Sequence, residues 1–214
     1  MRKTSLIVYD FDGTLVDTLF DIADSVNLTL ADLNLSQLSR ETIRKYVGKG
    51  VERLMSQTLN GTDFTDITRA VSLFKKHYSE NLVNHTDFYP HGREILEHFK
   101  DKKQAICSNK PEGFVRQILE SLNGLHPFEA IVGGDSVKSK KPDPEGLNLI
   151  LEQLNVSTDE AVLIGDSPVD IETGKRAGVY TCVVNYGLGF AEEIDAAKPD
   201  YSIDCLLELK EIFC

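Results

Sequence analysis

The stretch that decides the fold is Leu6-Ile7-Val8-Tyr9-Asp10-Phe11-Asp12-Gly13-Thr14-Leu15-Val16-Asp17. Its first four residues form a short apolar run, which is typical of a β-strand buried on both faces of a parallel sheet. The run leads directly into Asp10, and Asp12 follows two residues later, where the chain turns at Gly13. Because ligands bind beyond the carboxyl ends of strands in open parallel sheets, both carboxylates are predicted to lie at a functional site.

Further apolar runs of this kind recur along the chain, separated by longer segments with helical periodicity. The predicted strands are Gln104–Cys107, Ala130–Val132, Val162–Ile164 and Thr181–Val184, with Tyr201–Ile203 as an additional edge strand. Apolar runs at this spacing predict an α/β fold, a Rossmann-like parallel sheet with helices on both faces. Helix boundaries are signalled at Asp143-Pro144, at Ser167-Pro168 and at Gly178.

The pattern changes between Asp17 and Phe88, where no strand is predicted and apolar residues recur at helical spacing. This segment is interpreted as a small helical domain inserted just after the first strand. Pro90 and Gly92 mark the point of return, a plausible hinge. The predicted division is therefore a core of residues 1–16 and 90–214, and a helical insert of residues 17–89.

The bulk composition narrows the class of partner. The chain has 214 residues and a formal net charge of −11, which argues against non-specific nucleic-acid binding because that needs a basic surface. An anionic substrate would require locally positive groups or a metal. The four cysteines show no zinc-site spacing, and no apolar run is long enough for a secretion signal or a membrane span. A cytoplasmic protein with reduced thiols and no membrane partner is expected, and Cys107 and Cys182 are expected to be buried.

Two carboxylates two residues apart can share one pocket with different roles. Neighbouring charges can push their pKa values apart, so that one stays ionised while the other holds a proton. Asp10 could then attack phosphorus as a nucleophile, while Asp12 protonates the leaving alkoxide and later activates water. A second apolar strand ends at Asp166, which could meet Asp10 over a shared cation, and an all-oxygen site suits Mg²⁺.

Two weaker elements also follow predicted strands. Ser108 and Asn109 offer a hydroxyl and backbone N–H groups to phosphate oxygens, and Lys141 offers a positive charge. Each element alone can be explained without a catalytic role, since a lone D-x-D is more often a solvated turn or part of a calcium loop. The functional interpretation depends on the set, because four such elements each come just after a strand.

These residues resemble the motifs of the haloacid dehalogenase-like hydrolase superfamily, phosphatase branch. The matching stretches, which together span nearly the whole chain, are Asp10–Asp17, Ser108-Asn109, Lys141-Pro142 and Gly165-Asp166-Ser167 with Asp170. The resemblance implies that Asp10 is the nucleophile and a Mg²⁺ ligand, and that Asp12 is the acid/base and gives its carbonyl to the metal. It implies that Ser108 and Lys141 hold the phosphoryl group and that Asp166 ligates Mg²⁺. Asp170 would support the metal or orient Lys141.

Within the superfamily the chain is most similar to the phosphoglycolate phosphatases. The similarity includes Ser108–Pro111, Lys140–Pro144, Asn185–Gly187 and the glycine-containing stretch Tyr46–Gly50, while Thr18 stands where Ser is commoner. The resemblance implies that the insert is a mobile cap over a small phosphorylated metabolite, in a monomer or homodimer. Possible specificity residues are Lys49, Arg53 and Lys110.

Other activities of the same superfamily remain open at this point. They are a β-phosphoglucomutase-like phosphotransferase, a pyrophosphatase and a sugar or nucleotide phosphatase. A dehalogenase is disfavoured because Asp12 is present. A non-catalytic scaffold is the least favoured, since every motif residue is intact.

Overall fold

Six strands form one parallel sheet in a computed structural model that describes residues 2–214. The strands are β1 (Leu6–Tyr9), β4 (Lys103–Cys107), β5 (Ala130–Val132), β6 (Ala161–Gly165), β7 (Tyr180–Val184) and β8 (Tyr201–Ile203). The sheet order is β5-β4-β1-β6-β7-β8, so Tyr201–Ile203 is an edge strand as predicted. The predicted fold class is confirmed.

Helices cover both faces of this sheet. Successive residues of β1 alternate between two apolar cores, with Ile7 and Tyr9 in one and Leu6 and Val8 in the other. The first core is closed by α5 (Gly92–His98), α6 (Glu112–Ser121) and α10 (Leu209–Ile212), and the second by α7 (Glu145–Leu154) and α8 (Pro168–Ala177). The remaining helix after the insert is α9 (Ala191–Ala197). Burial on both faces explains why β1, β5 and β6 are nearly continuous apolar runs.

The insert contains four helices: α1 (Leu19–Asp32), α2 (Arg40–Arg44), α3 (Val51–Thr58) and α4 (Ile67–Glu80). Residues 17–89, which contain them, are called the cap segment below. Two short strands, β2 (Val16–Asp17) and β3 (Asp87–Phe88), pair antiparallel where the chain leaves and returns. No strand was predicted between Asp17 and Phe88, and that prediction is wrong at its two ends, because two-residue strands are too short to show an alternating pattern.

Strand order places β1 at the centre, between β4 and β6. From β1 the chain proceeds to β4 and β5 on one side and then crosses to β6, β7 and β8 on the other. The order therefore reverses beside β1, and a reversal of this kind opens a crevice at the carboxyl ends of the strands. The residues after β1, β4 and β6 all reach this crevice.

The predicted helix boundaries follow their sequence signals. The Asp143 carboxylate accepts a hydrogen bond from the Glu145 N–H at 3.0 Å, at the start of α7. Ser167 and Asp170 form a capping box at the start of α8, and Gly178 ends that helix in a left-handed conformation with φ of 76°. These boundaries set the loops that deliver Lys141 and Asp166 to the crevice.

Cys107 and Cys182 are buried and unpaired, as expected for structural thiols. Burial raises the pKa of each thiol to about 12, so neither is reactive as a thiolate near neutral pH. Within residues 2–214, none of the helices combines the length and apolar character that crossing a bilayer requires.

Candidate active site

Asp10 is fixed directly beyond the central strand. Its backbone N–H donates to the Ile164 carbonyl at 2.8 Å, which continues the ladder between β1 and β6. Its side chain is buried, and Oδ1 accepts from the Phe11 N–H at 2.7 Å. The carboxylate orientation is therefore set by backbone that the sheet already holds rigid.

Three buried carboxylates meet at this point. Oxygens of Asp10, Asp166 and Asp170 all lie within 4.8 Å of one another. Lys141, also buried, approaches two of them: its Nζ lies 3.0 Å from Asp10 Oδ1 and 2.6 Å from Asp170 Oδ1. The buried group thus contains three carboxylates and one ammonium, which contacts two of the three.

The excess of buried carboxylates over cations shifts the pKa values of the site. Burial raises the pKa of Asp10 to about 6; Lys141 opposes the rise, and the Asp170 carboxylate adds to it. Burial, with Asp170 and Asp10, raises the pKa of Asp166 well above its ordinary value. Burial alone would lower the pKa of Lys141, but the two carboxylates outweigh it and hold that pKa above its usual value, so Lys141 is a fixed cation.

The donor set fits a hard divalent cation. Asp10 and Asp166 follow adjacent strands and present carboxylate oxygens to one small space, and oxygen ligands are those that Mg²⁺ prefers. The unbalanced negative charge of the buried group is a second reason, because a cation there would offset it. Asp170 is committed to Lys141 and to Ser167, whose N–H and hydroxyl it accepts at 3.2 and 2.7 Å. This geometry favours the orienting role for Asp170 over a direct metal contact.

Asp12 lies in a separate polar environment. Its Oδ1 accepts from the Thr18 hydroxyl at 2.6 Å and from Lys110 Nζ at 2.9 Å. Lys110 also donates to the Tyr78 hydroxyl at 2.7 Å, and Tyr78 belongs to helix α4 of the cap segment. The cap segment therefore reaches the predicted acid/base in two ways, directly through Thr18 and indirectly from Tyr78 through the buried Lys110.

Ser108 and Asn109 follow β4 as predicted, beside the same crevice. Burial raises the pKa of Asp10, and the nearby Ser108 side chain opposes part of that rise. Asn109 Nδ2 donates to the carbonyls of Gly48 and Lys141, each at 3.0 Å. Asn109 thus links the backbone at Lys141 to Gly48 of the cap segment.

A cavity separates the cap segment from the carboxylates. Asp10, Asp12 and Ser108 form its polar floor, and its apolar walls are Ile22, Val47, Val51, Leu54, Phe74 and Phe114. Among residues 2–214, Lys110 is the one cationic side chain that lines it. Lys49 is exposed and lines a different depression, beside Asp166, while Arg53 is exposed on α3 and lines neither.

Several contacts at the site were not predicted. In the sequence, Thr18 is only a variation on the motif, but in the structure its hydroxyl donates a hydrogen bond to Asp12. Tyr78 belongs to the helical periodicity of the insert and is stacked on Phe74 with ring centroids 5.4 Å apart, so its sequence position indicates packing and not its contact with Lys110. Arg44 of α2 donates to the carbonyls of Gly187 and Leu188, a contact that no local pattern signals.

Comparison with known proteins gives a consistent result. A family model described as haloacid dehalogenase-like hydrolase matches residues 7–184. Phosphoglycolate phosphatase of Aquifex aeolicus is 37% identical over 92% of this chain and 91% of its own length. Phosphoglycolate phosphatase of Colwellia psychrerythraea is 34% identical over 98% and 96%. A crystal structure described as a predicted phosphoglycolate phosphatase from Haemophilus somnus 129pt superposes with a TM-score of 0.93 and 30% identity, covering 98% of this chain and 97% of that one.

The unbalanced carboxylates predict that Mg²⁺ stabilises the fold. Adding Mg²⁺ to metal-free protein should raise Tm, because a ligand bound only by the native state at 100 times its Kd stabilises by about 2.7 kcal/mol. Differential scanning calorimetry over a Mg²⁺ series checks this. Asp166→Asn should lose most of the rise. Asp159→Asn should keep it, because Asp159 is exposed and lies before β6, at the opposite end of that strand from Asp166. Equal rises in both variants would contradict the site.

Proposed function

The chain belongs to the haloacid dehalogenase-like hydrolase family and is a phosphatase, and we propose that it hydrolyses a small phosphate monoester with Mg²⁺ through an aspartyl-phosphate on Asp10. The best candidate substrate is 2-phosphoglycolate. The observation that supports the proposal most directly is the arrangement around Asp10, a buried carboxylate clamped by Lys141 beside two further acids.

The first half-reaction is a transfer of the phosphoryl group to Asp10. The Phe11 N–H and Lys141 both hold Oδ1, which orients Oδ2 for attack on phosphorus. A bond forms between Oδ2 and phosphorus while the bond from phosphorus to the ester oxygen breaks. The departing alkoxide takes a proton from the Asp12 carboxyl. The products of this step are a free alcohol and an ionised Asp12. Lys141 lies where it can offset charge on the transferred group.

The second half-reaction returns Asp10 to its free form. The ionised Asp12 accepts a proton from a water molecule, whose oxygen attacks phosphorus and displaces the Asp10 carboxylate. Inorganic phosphate leaves and Asp12 is protonated again. The Thr18 hydroxyl and Lys110 hold Asp12 through Oδ1, which keeps the carboxyl over the same face of Asp10 in both steps.

Mg²⁺ would be held by the side chains of Asp10 and Asp166 and by the Asp12 carbonyl. When bound it supplies positive charge that offsets the repulsion between the carboxylates and an anionic phosphate ester. Lys141 and Asp170 would remain paired with each other beside it.

The cavity under the cap segment favours a small leaving group. Its volume is about 40 Å³, which is room for about three water molecules if each needs roughly 10–15 Å³. A leaving group of a few non-hydrogen atoms suits this space better than a sugar or a nucleoside. The apolar walls from α1, α3 and α4 also exclude water from the reacting atoms.

Lys110 is the group best placed to recognise a carboxylate on that leaving group. It is buried in the cavity, and its charge is shared between Asp12 and the Tyr78 hydroxyl. A buried ammonium group interacts more strongly with an anion than an exposed one, because the surroundings screen it less. Together with the names of the relatives, this placement supports 2-phosphoglycolate, whose leaving group carries a carboxylate.

The nucleophile assignment predicts that Asp10→Asn abolishes turnover and formation of the phospho-enzyme, because an amide does not attack phosphorus. Asp12→Asn is the matched change at the acid/base and should slow both half-reactions, with a loss of roughly 100-fold or more in kcat. Rapid-quench assays with labelled substrate measure both steps. Mg²⁺ affinity should fall less in Asp12→Asn than in Asp166→Asn, since only the carbonyl of Asp12 faces the metal. Near-normal turnover in Asp10→Asn would rule out the covalent route.

The placement of Lys110 predicts selectivity for a carboxylate. The wild type should prefer 2-phosphoglycolate to 2-hydroxyethyl phosphate, and Lys110→Met should reduce the ratio of their kcat/KM values by about 10- to 100-fold, the equivalent of roughly 1.5–3 kcal/mol for a hydrogen bond to a charged group. Lys49→Met is the matched control, from which a much smaller change is expected.

The same assay, extended to pyrophosphate, sugar phosphates and nucleotides, tests the substrate itself. A larger loss of selectivity in Lys49→Met than in Lys110→Met would reverse the assignment of the two lysines. A higher kcat/KM for a sugar phosphate than for 2-phosphoglycolate would overturn the proposed substrate while leaving the phosphatase activity in place.

A further inference from the structure

The loop that follows β7, Tyr186–Phe190, packs tightly against Asp166. It is called the glycine loop below. The Leu188 N–H donates to Asp166 Oδ2 at 2.6 Å. A Cβ on Gly187 would collide with the Asp166 side chain, and one on Gly189 would collide with the Asp166 carbonyl, so both positions require glycine for close approach. The orientation of this predicted metal ligand therefore depends on the glycine loop.

The other side of the glycine loop is held by the cap segment. Arg44 of α2 donates from Nη2 to the Gly187 carbonyl at 2.9 Å and from Nε to the Leu188 carbonyl at 3.2 Å. Its guanidinium carbon also lies 5.7 Å from the centroid of the Phe190 ring. Two donors of one rigid, planar group thus fix two successive carbonyls.

One peptide unit connects the two sets of contacts. The Gly187 carbonyl that accepts from Arg44 and the Leu188 N–H that donates to Asp166 belong to the same planar amide. A charged donor on the carbonyl polarises the amide and strengthens its N–H as a donor. Planarity also means that rotation of the carbonyl away from Arg44 turns the N–H away from Asp166.

From this geometry we propose that Arg44 is a positioning residue that couples closure of the cap segment to metal binding by Asp166. When Arg44 holds the glycine loop, the Leu188 N–H fixes the Asp166 carboxylate in the orientation that binds Mg²⁺. The inference rests on the proposed function, since it requires Asp166 to be a metal ligand. Thermodynamic linkage makes the coupling reciprocal, so Mg²⁺ in turn favours the closed cap.

Other contacts between the cap segment and the rest of the chain provide a comparison. Glu52 of α3 pairs with Lys140 at 2.7 Å, and within residues 2–214 no hydrogen bond or ion pair joins either residue to the glycine loop. Removing this pair weakens closure without disturbing the amide that links Arg44 to Asp166. Glu52→Gln is therefore a matched control for closure alone.

The test measures Mg²⁺ binding to the substrate-free protein, from Tm across a Mg²⁺ series and from isothermal titration calorimetry. Arg44→Met should weaken Mg²⁺ binding by about fivefold or more, the lower end of typical coupling between sites. Arg44→Lys, which keeps the charge but cannot bridge two carbonyls, should fall between the wild type and Arg44→Met. Glu52→Gln removes one exposed ion pair of closure but leaves Arg44 on the glycine loop, so it should lose clearly less Mg²⁺ affinity than Arg44→Met. Circular dichroism of the metal-free variants establishes that each is folded, and Arg44→Lys serves as the test if Arg44→Met is not.

Small-angle X-ray scattering gives the reciprocal measurement. Mg²⁺ should reduce the radius of gyration of the wild type and of Glu52→Gln, but have less effect on Arg44→Met. Unchanged Mg²⁺ affinity in the Arg44 variants would overturn the inference, as would an equal loss in Glu52→Gln, which would mean that any weakening of closure suffices. Both results leave the phosphatase proposal intact. A wild type that binds no Mg²⁺ would overturn the metal assignment of the proposed function, and the coupling with it.

Discussion

Three buried carboxylates and one lysine at the carboxyl ends of β1 and β6 are the constraint on which the site depends. Like charges this close, in surroundings that screen poorly, oppose folding unless each is held by partners. The partners come from four places: the Phe11 N–H, the Leu188 N–H, the capping box of α8 and the Lys141 ammonium. The loops after β1, β6 and β7 are therefore fixed in relation to one another by charge as well as by the sheet.

Much of this arrangement could be predicted from the sequence because it follows from local signals. A strand buried on both faces is apolar throughout, so β1 and β6 were visible, and the acid after each was placed by the geometry of parallel sheets. The cap of α8 was also local, since Ser167-Pro168 is a common helix start. Strand order has no such local signal. The sequence predicted only that Asp10 and Asp166 could meet over a shared cation, and the adjacency of β1 and β6 is seen in the structure.

The contacts between the cap segment and the core could not be predicted in the same way. Tyr78 and Arg44 lie on helices where one side chain in a turn looks much like another, and their partners are 32 and more than 140 residues away. Such pairings depend on how the helices pack after the chain returns through β3. Lys110 illustrates the difference: its place after β4 was evident, but its position between Asp12 and Tyr78 depends on how α4 packs over the end of the sheet.

Selectivity for an anion has to be reconciled with a chain of net charge −11. At physiological salt a charge is screened over about 8 Å, so the acidic surface has little influence inside a closed cavity. Lys110 and Lys141, the two cations that the proposal assigns to the substrate, are buried, and each is already paired with an acid of the site. A substrate anion would therefore either displace the carboxylate that each lysine already contacts or bind the lysine beside it. Under the proposed function, the apolar walls of the cap segment strengthen that interaction by excluding water, so discrimination would arise in the cavity and not at the first encounter.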